Sequence, residues 1–211
     1  MSARRLSRLL IVGSLAAVLA AVTVVVVLLS PSDDGGGTPS RDSVDAGFAR
    51  DMAVHHQQAV ELSFIVRDRT DDEEVRRLAY DIINTQANQR GMLLGMLDAW
   101  DLPKSSQQAP MAWMGGHASH EAYEPHDGSL MPGMATNAEM DRLRQASGRD
   151  AEVLYLRLMT EHHKGGVPMS EVAAESAGTE DLRRLAQGMV NGQQAEIALM
   201  ADMLEKRGRS S

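Results

Sequence analysis

Shifted against itself by 107 positions, the sequence realigns without a gap. Phe48 falls on Tyr155, Arg50 on Arg157, Met52 on Met159, His55–His56 on His162–His163, Val60 on Val167 and Ser63 on Ser170. Further along, "VRRLAYDIINTQ" from Val75 falls on "LRRLAQGMVNGQ" from Leu182, and Met96–Leu97 falls on Met203–Leu204. One offset sustained over about fifty positions marks a duplicated unit of structure. The chain must therefore build its core from two similar halves, and whatever one His-His pair does the other is placed to do as well.

Each unit reads as a helical hairpin. In the first, Phe48, Met52, His55, Ala59, Leu62 and Val66 advance by fours and threes, which is one face of a helix. A capping box from Thr70 to Glu73 opens its partner, whose stripe runs Val75, Leu78, Ile82, Gln86, Leu93, Leu97. In the second, Tyr155, Met159, His162, Gly166 and Met169 form the stripe, and the partner begins at Thr179 with Leu182, Leu185, Met189, Gln193, Ile197, Met200 and Leu204 facing inward. The fold class expected is all-α, an antiparallel four-helix bundle of two repeated hairpins, with residues 42–100 and 136–206 as the hairpins. Sparse aromatics, with two Phe, two Trp and three Tyr against 14 Met, suit such a core. Met92, Met96, Met189, Met200 and Met203 sit at helical spacing and read as core filler.

Residues 101–135 are of another kind, rich in Gly, Pro and Ser and without a helical period, and should cross over the bundle as a long loop. This crossover carries Met111, Met114, His117, His120, His126, Met131 and Met134. Thr136 to Glu139 is a second capping box, and Ser147–Gly148 should interrupt the helix before the second His-His element.

The N-terminus is expected to be a targeting segment. Arg4, Arg5 and Arg8 precede an uncharged run from Leu9 to Leu29, long enough at about 1.5 Å per residue to cross a bilayer. Residues 1–30 then form a transmembrane signal anchor and 31–41 a flexible linker, with residues 42–206 on the extracytoplasmic side, or secreted if the segment is cleaved. Every Asp and Glu lies beyond residue 30, so the exported part holds 29 acidic against 18 basic residues. That balance disfavours nucleic acid and favours cations. With no Cys, disulfides and thiolate metal sites are excluded.

Imidazole and thioether are what remain for metal chemistry. Neighbours on a helix diverge by about 100°, so one His of each pair should face the stripe and the other its shoulder. Met52 lies four residues before His56, and Met159 four before His163, which stacks a thioether and an imidazole on one face. Such donors suit copper in either oxidation state, and imidazole alone suits zinc or another divalent metal. Gln86 and Gln193, polar on apolar stripes, are expected to orient the buried rings. The loop methionines and histidines make a secondary set of candidate ligands.

The paired "M-x-x-HH" elements, the "RRLA…Q" element after each and the "MPGM…EM…L…ASG" run before the second copy resemble a bacterial ferritin-like family of unknown general function. The resemblance covers residues 42–206. It implies a helical bundle, export or membrane anchoring and, as in some relatives, copper binding. It carries over Met52, His55, His56, Met159, His162, His163, Met169 and the MPGM of 131–134 as metal-binding positions. Gln89 stands where the second copy has Glu196, a candidate for supporting the ligands. Two other classes compete. A metal-free helical interaction module of the cell envelope needs none of these ligands. A di-iron oxidoreductase needs Glu-x-x-His, whereas Met52 and Met159 stand three before His55 and His162.

Overall fold

In the computed structural model, which describes residues 37–117 and 123–208, five helices carry the fold and no named strand occurs among the described residues. They are α1 Val44–Arg67, α2 Glu73–Ala99, α3 Asn137–Gln145, α4 Gly148–Ser176 and α5 Glu180–Lys206. Both ends of α5 lie 107 residues after those of α2, so the repeat in sequence is a repeat in structure. The expected anchor at residues 1–30 lies outside the described residues. Within them no helix is long and apolar enough to cross a membrane.

α1 pairs with α2 and α4 with α5, and the two hairpins meet through α1 and α4. The inner helices are thus covered on two sides, which is why both histidines of each pair are buried and neither lies on an exposed shoulder. Equivalent carboxylates stitch the hairpins together. Asp45 on α1 accepts hydrogen bonds from Gly178 N, Thr179 N and Thr179 Oγ1, capping α5, whose own N-cap side chain makes no cap. Glu152, its counterpart on α4, accepts from Thr70 Oγ1 at 2.6 Å and from Arg207 Nε at 2.8 Å. This contact takes Thr70 away from the capping box expected of it. α2 starts at Glu73 with Asp72 as the N-cap, accepting from Val75 N. The box at Thr136 and Glu139 forms as expected, and α3 stops at Gln145 before α4 opens at Gly148.

The core divides in two. Leu62, Val75, Ile82, Tyr155, Leu156, Met159, Met200, Met203 and Leu204 pack under α3, which contributes Met140 and Leu143. Phe48, Met52, Leu93, Leu97, Met169, Leu182 and Met189 pack under the crossover, which contributes Met114, Met131 and Met134. Met92 is 44% exposed and is not core filler.

The crossover is tied down at two places. Asp51 accepts from Met111 N and Trp113 Nε1, and the Trp113 ring stands edge-on to Phe48 at 5.7 Å. At the other end Gln58 grips Ala135 with both arms of its amide, donating to the carbonyl at 2.9 Å and accepting from the N–H at 2.7 Å. Between them the 131–134 turn lies directly on α4. A Cβ at Gly165 would stand 2.0 Å from Pro132 O, and one at Gly133 would stand 2.4 Å from Glu161 O. Only glycines admit that approach, and Gly133 also needs its φ of 80°.

Candidate metal centre

Four imidazoles lie buried on the helices α1 and α4, which pack against each other. His55, His56 and His163 are fully buried and His162 is 1% exposed. The rings of His55 and His162, equivalent in the repeat, stack with centroids 3.8 Å apart at 37°. His162 Nε2 bonds His55 O at 3.0 Å across the hairpins. His55 Nε2 reaches instead to Pro132 O of the crossover turn, at 3.3 Å. The outer pair bonds within its own hairpin, His56 Nε2 to Gln89 Oε1 at 2.9 Å and His163 Nε2 to Glu196 Oε2 at 2.6 Å.

Every one of these partners is a carbonyl or carboxylate oxygen, which can only accept. Each Nε2 must therefore carry the proton, and wherever the ring is neutral this leaves Nδ1 as a bare lone pair. All four Nδ1 atoms are buried without a hydrogen-bond partner. Burial holds the His55 pKa down at about 4, and burial with the nearby His55 holds His56 at about 3. His162 is pushed well below the usual histidine value by burial and by the other three rings. Buried lone pairs with no donor facing them are expensive to keep, since each forgoes the hydrogen bond that water would give it. An electron-pair acceptor is the guest that would satisfy them.

The expected orienting role of Gln86 and Gln193 is not met. Gln86 Oε1 and both polar atoms of Gln193 lack partners, while the rings are fixed by Gln89, Glu196 and two backbone carbonyls. Gln193 lies instead against Gly166 beside His55, where a Cβ would stand 2.6 Å from its Oε1 and 3.2 Å from His55 Cε1. Helix periodicity gave the direction of Gln86 and Gln193 correctly, inward, but His56 and His163 bond to residues three positions further along, Gln89 and Glu196.

The methionines separate. Met52, Met114, Met131, Met134 and Met169 share one buried cluster, with Met111 half-buried at its edge. Met159 belongs to the other cluster, with Met140, Met200 and Met203. The duplicated thioethers are thus not brought together. Nor do the loop residues form one set: His126 is exposed, its Nδ1 hydrogen-bonded to Glu124 O, while Met114, Met131 and Met134 are core. The side chain of His117 and all of His120 lie outside what is described. Among the described residues no group of three or more His, Asp or Glu stands in a metal-holding arrangement. The donors on hand, imidazole Nδ1 and thioether, fit a soft ion of low coordination number.

No curated protein matches the sequence. Solved structures do. A Streptomyces coelicolor protein provisionally described as secreted is 59% identical, with a TM-score of 0.74 over 82% of this chain and 98% of its own. A Deinococcus radiodurans fragment is 29% identical, with a TM-score of 0.62 over 77% of this chain and 96% of its own. CopM, solved with Cu(I) bound, shares the fold at 18% identity, with a TM-score of 0.58 over 77% of this chain and 96% of its own. The profile of one family matches residues 45–204, and the chain belongs to that family, the domain of unknown function DUF305.

Proposed function

We propose that the chain is an exported, membrane-anchored protein that binds copper through the paired histidines and buried methionines, for buffering or tolerance. The observation that carries the reading is the set of four buried Nδ1 atoms without a hydrogen-bond partner, each ring held by an Nε2–H bond to the protein. Fixing one imidazole nitrogen so that the other is presented is how proteins orient histidine ligands. The ligands proposed are His55, His56, His162 and His163, with Met52 and Met169 as thioether donors on the crossover side, Met159 as a separate donor on the α3 side, and Met131 and Met134 as the approach from the crossover. Copper bound there would draw on soft donors, and the chain's part is to keep the rings aimed and shielded from water.

Two further facts support the reading. CopM, of the same fold, has been solved with Cu(I), with Cu(II) and with silver. A relative 59% identical is described as secreted, in keeping with the basic and apolar segment at residues 1–30.

Competition titration of the full chain with Cu(I) and Cu(II) tests it. Replacing His56 and His163 together by Gln should weaken binding more than replacing the exposed His126. Equal losses would move the site off the helices, and no binding of either oxidation state would leave the metal-free interaction module.

A further inference from the structure

Gln193 is 5% exposed, and neither polar atom of its amide has a hydrogen-bond partner. It lies where Gly166 of α4 comes close to His55. A Cβ on that glycine would stand 2.6 Å from Gln193 Oε1, 3.3 Å from Gln193 Nε2 and 3.2 Å from His55 Cε1, the carbon bonded to Nδ1. The space a methyl group would fill is thus bordered by the amide on one side and the ring edge on the other. Glycine inside a helix is less favourable than alanine, and the first hairpin has Ala59 at the equivalent position. The glycine of the second hairpin makes room for the amide.

Two buried groups of opposite character therefore border one spot. Gln193 Nε2 is a donor without an acceptor, and His55 Nδ1 is an acceptor without a donor. Leaving both unpaired is unfavourable, and one bond between them satisfies both. A half-turn about the last bond of the Gln193 side chain exchanges oxygen for nitrogen, which brings the donor to the place nearest Gly166. His55 is also the ring held least tightly at Nε2, by a bond of 3.3 Å against 2.6, 2.9 and 3.0 Å for the others. The first hairpin is not equipped in the same way. Only Oε1 of Gln86 is buried without a partner, and an acceptor cannot serve another acceptor.

We propose that Gln193 is a built-in competitor for the metal at His55: its Nε2–H donates to Nδ1 in the metal-free chain and is displaced when a soft cation takes that lone pair. This rests on the metal-binding reading above and assigns its regulation. Gln193 is a positioning residue, setting how tightly His55 holds the ion without touching the ion itself.

Nitrogen-15 NMR of the full, metal-free chain should show a nitrogen–nitrogen coupling through the hydrogen bond between Gln193 Nε2 and His55 Nδ1, lost on addition of Ag(I). In titrations against a competing chelator, Gln193→Leu should bind Ag(I) roughly three- to tenfold more tightly than the wild type, the factor set by one net hydrogen bond. Gln86→Leu removes an amide that has no free donor and should stay within about twofold of the wild type. Absence of the coupling from the metal-free chain overturns the inference whether or not Gln193→Leu folds. An Ag(I) affinity unchanged or weakened in Gln193→Leu, or raised equally in Gln86→Leu, overturns it too, and each of these leaves the copper reading standing. A wild-type chain that binds no Ag(I) overturns both.

Discussion

At the scale of single residues, the buried imidazoles tie stability to pH. In the unfolded chain a histidine takes up its proton near pH 6.5. Folded His55 and His56 wait until about 4 and about 3. Between those limits the unfolded state binds more protons, so stability is complete above about pH 6.5 and falls as the pH is lowered through the window. For His55 alone the loss amounts to about 3 kcal/mol by pH 4. Denaturant midpoints of the metal-free chain should therefore drop steeply from pH 6.5 to 4, and a His55→Gln, His56→Gln variant should show a shallower slope. An equal slope in the variant would place the acid sensitivity elsewhere. The same lowered pKa values keep the rings neutral, and so able to bind metal, well below the ordinary range for histidine.

At the scale of elements, the decisive contact is the seat of the 131–134 turn on α4. Gln58 and Gly165 are equivalent in the repeat, yet one grips Ala135 and the other leaves room for Pro132, so a single asymmetric loop is held by two diverged copies of one position. Gly165→Ala forces the turn off the helix and should destabilise by about 1–3 kcal/mol, freeing Pro132 O from His55. Gly91→Ala, on α2 with nothing within 4 Å of the added carbon, should instead stabilise by about 0.5–1 kcal/mol. Chemical denaturation of the two variants side by side checks the opposed signs. The hairpins were legible beforehand because an unbroken offset and the i, i+3, i+4 spacing of Phe48, Met52 and His55 admit few other arrangements. The seat was not, because nothing local distinguishes a glycine that opens a helix surface from one that merely weakens the helix.

At the scale of the whole molecule, an approximate twofold is broken by what covers each end. The crossover with Met114, Met131 and Met134 lies over the Met52 side, while α3 with Met140 and Leu143 lies over the Met159 side. That is why Met52 and Met159, paired in sequence, part in space: a twofold sends equivalent residues to opposite sides, and only residues near the axis, such as His55 and His162, meet. The four histidines could be named from the repeat, but their bonding partners could not. Gln89, Glu196, Pro132 and the His55 carbonyl depend on helix crossing and loop seating, which spacing does not encode.

The central claim is that the buried rings are fixed through Nε2–H and that His55, His56 and His162 offer a neutral Nδ1 to a soft cation. Nitrogen-15 NMR of the histidine side chains reads both halves at once, in the metal-free chain and during addition of Ag(I). The account predicts Nε2–H tautomers for His55, His56 and His162 before addition, and large shifts confined to Nδ1 of the helix-borne rings afterwards. Nδ1–H tautomers in the metal-free protein, or Ag(I) shifts seen only at His117, His120 and His126, would contradict it.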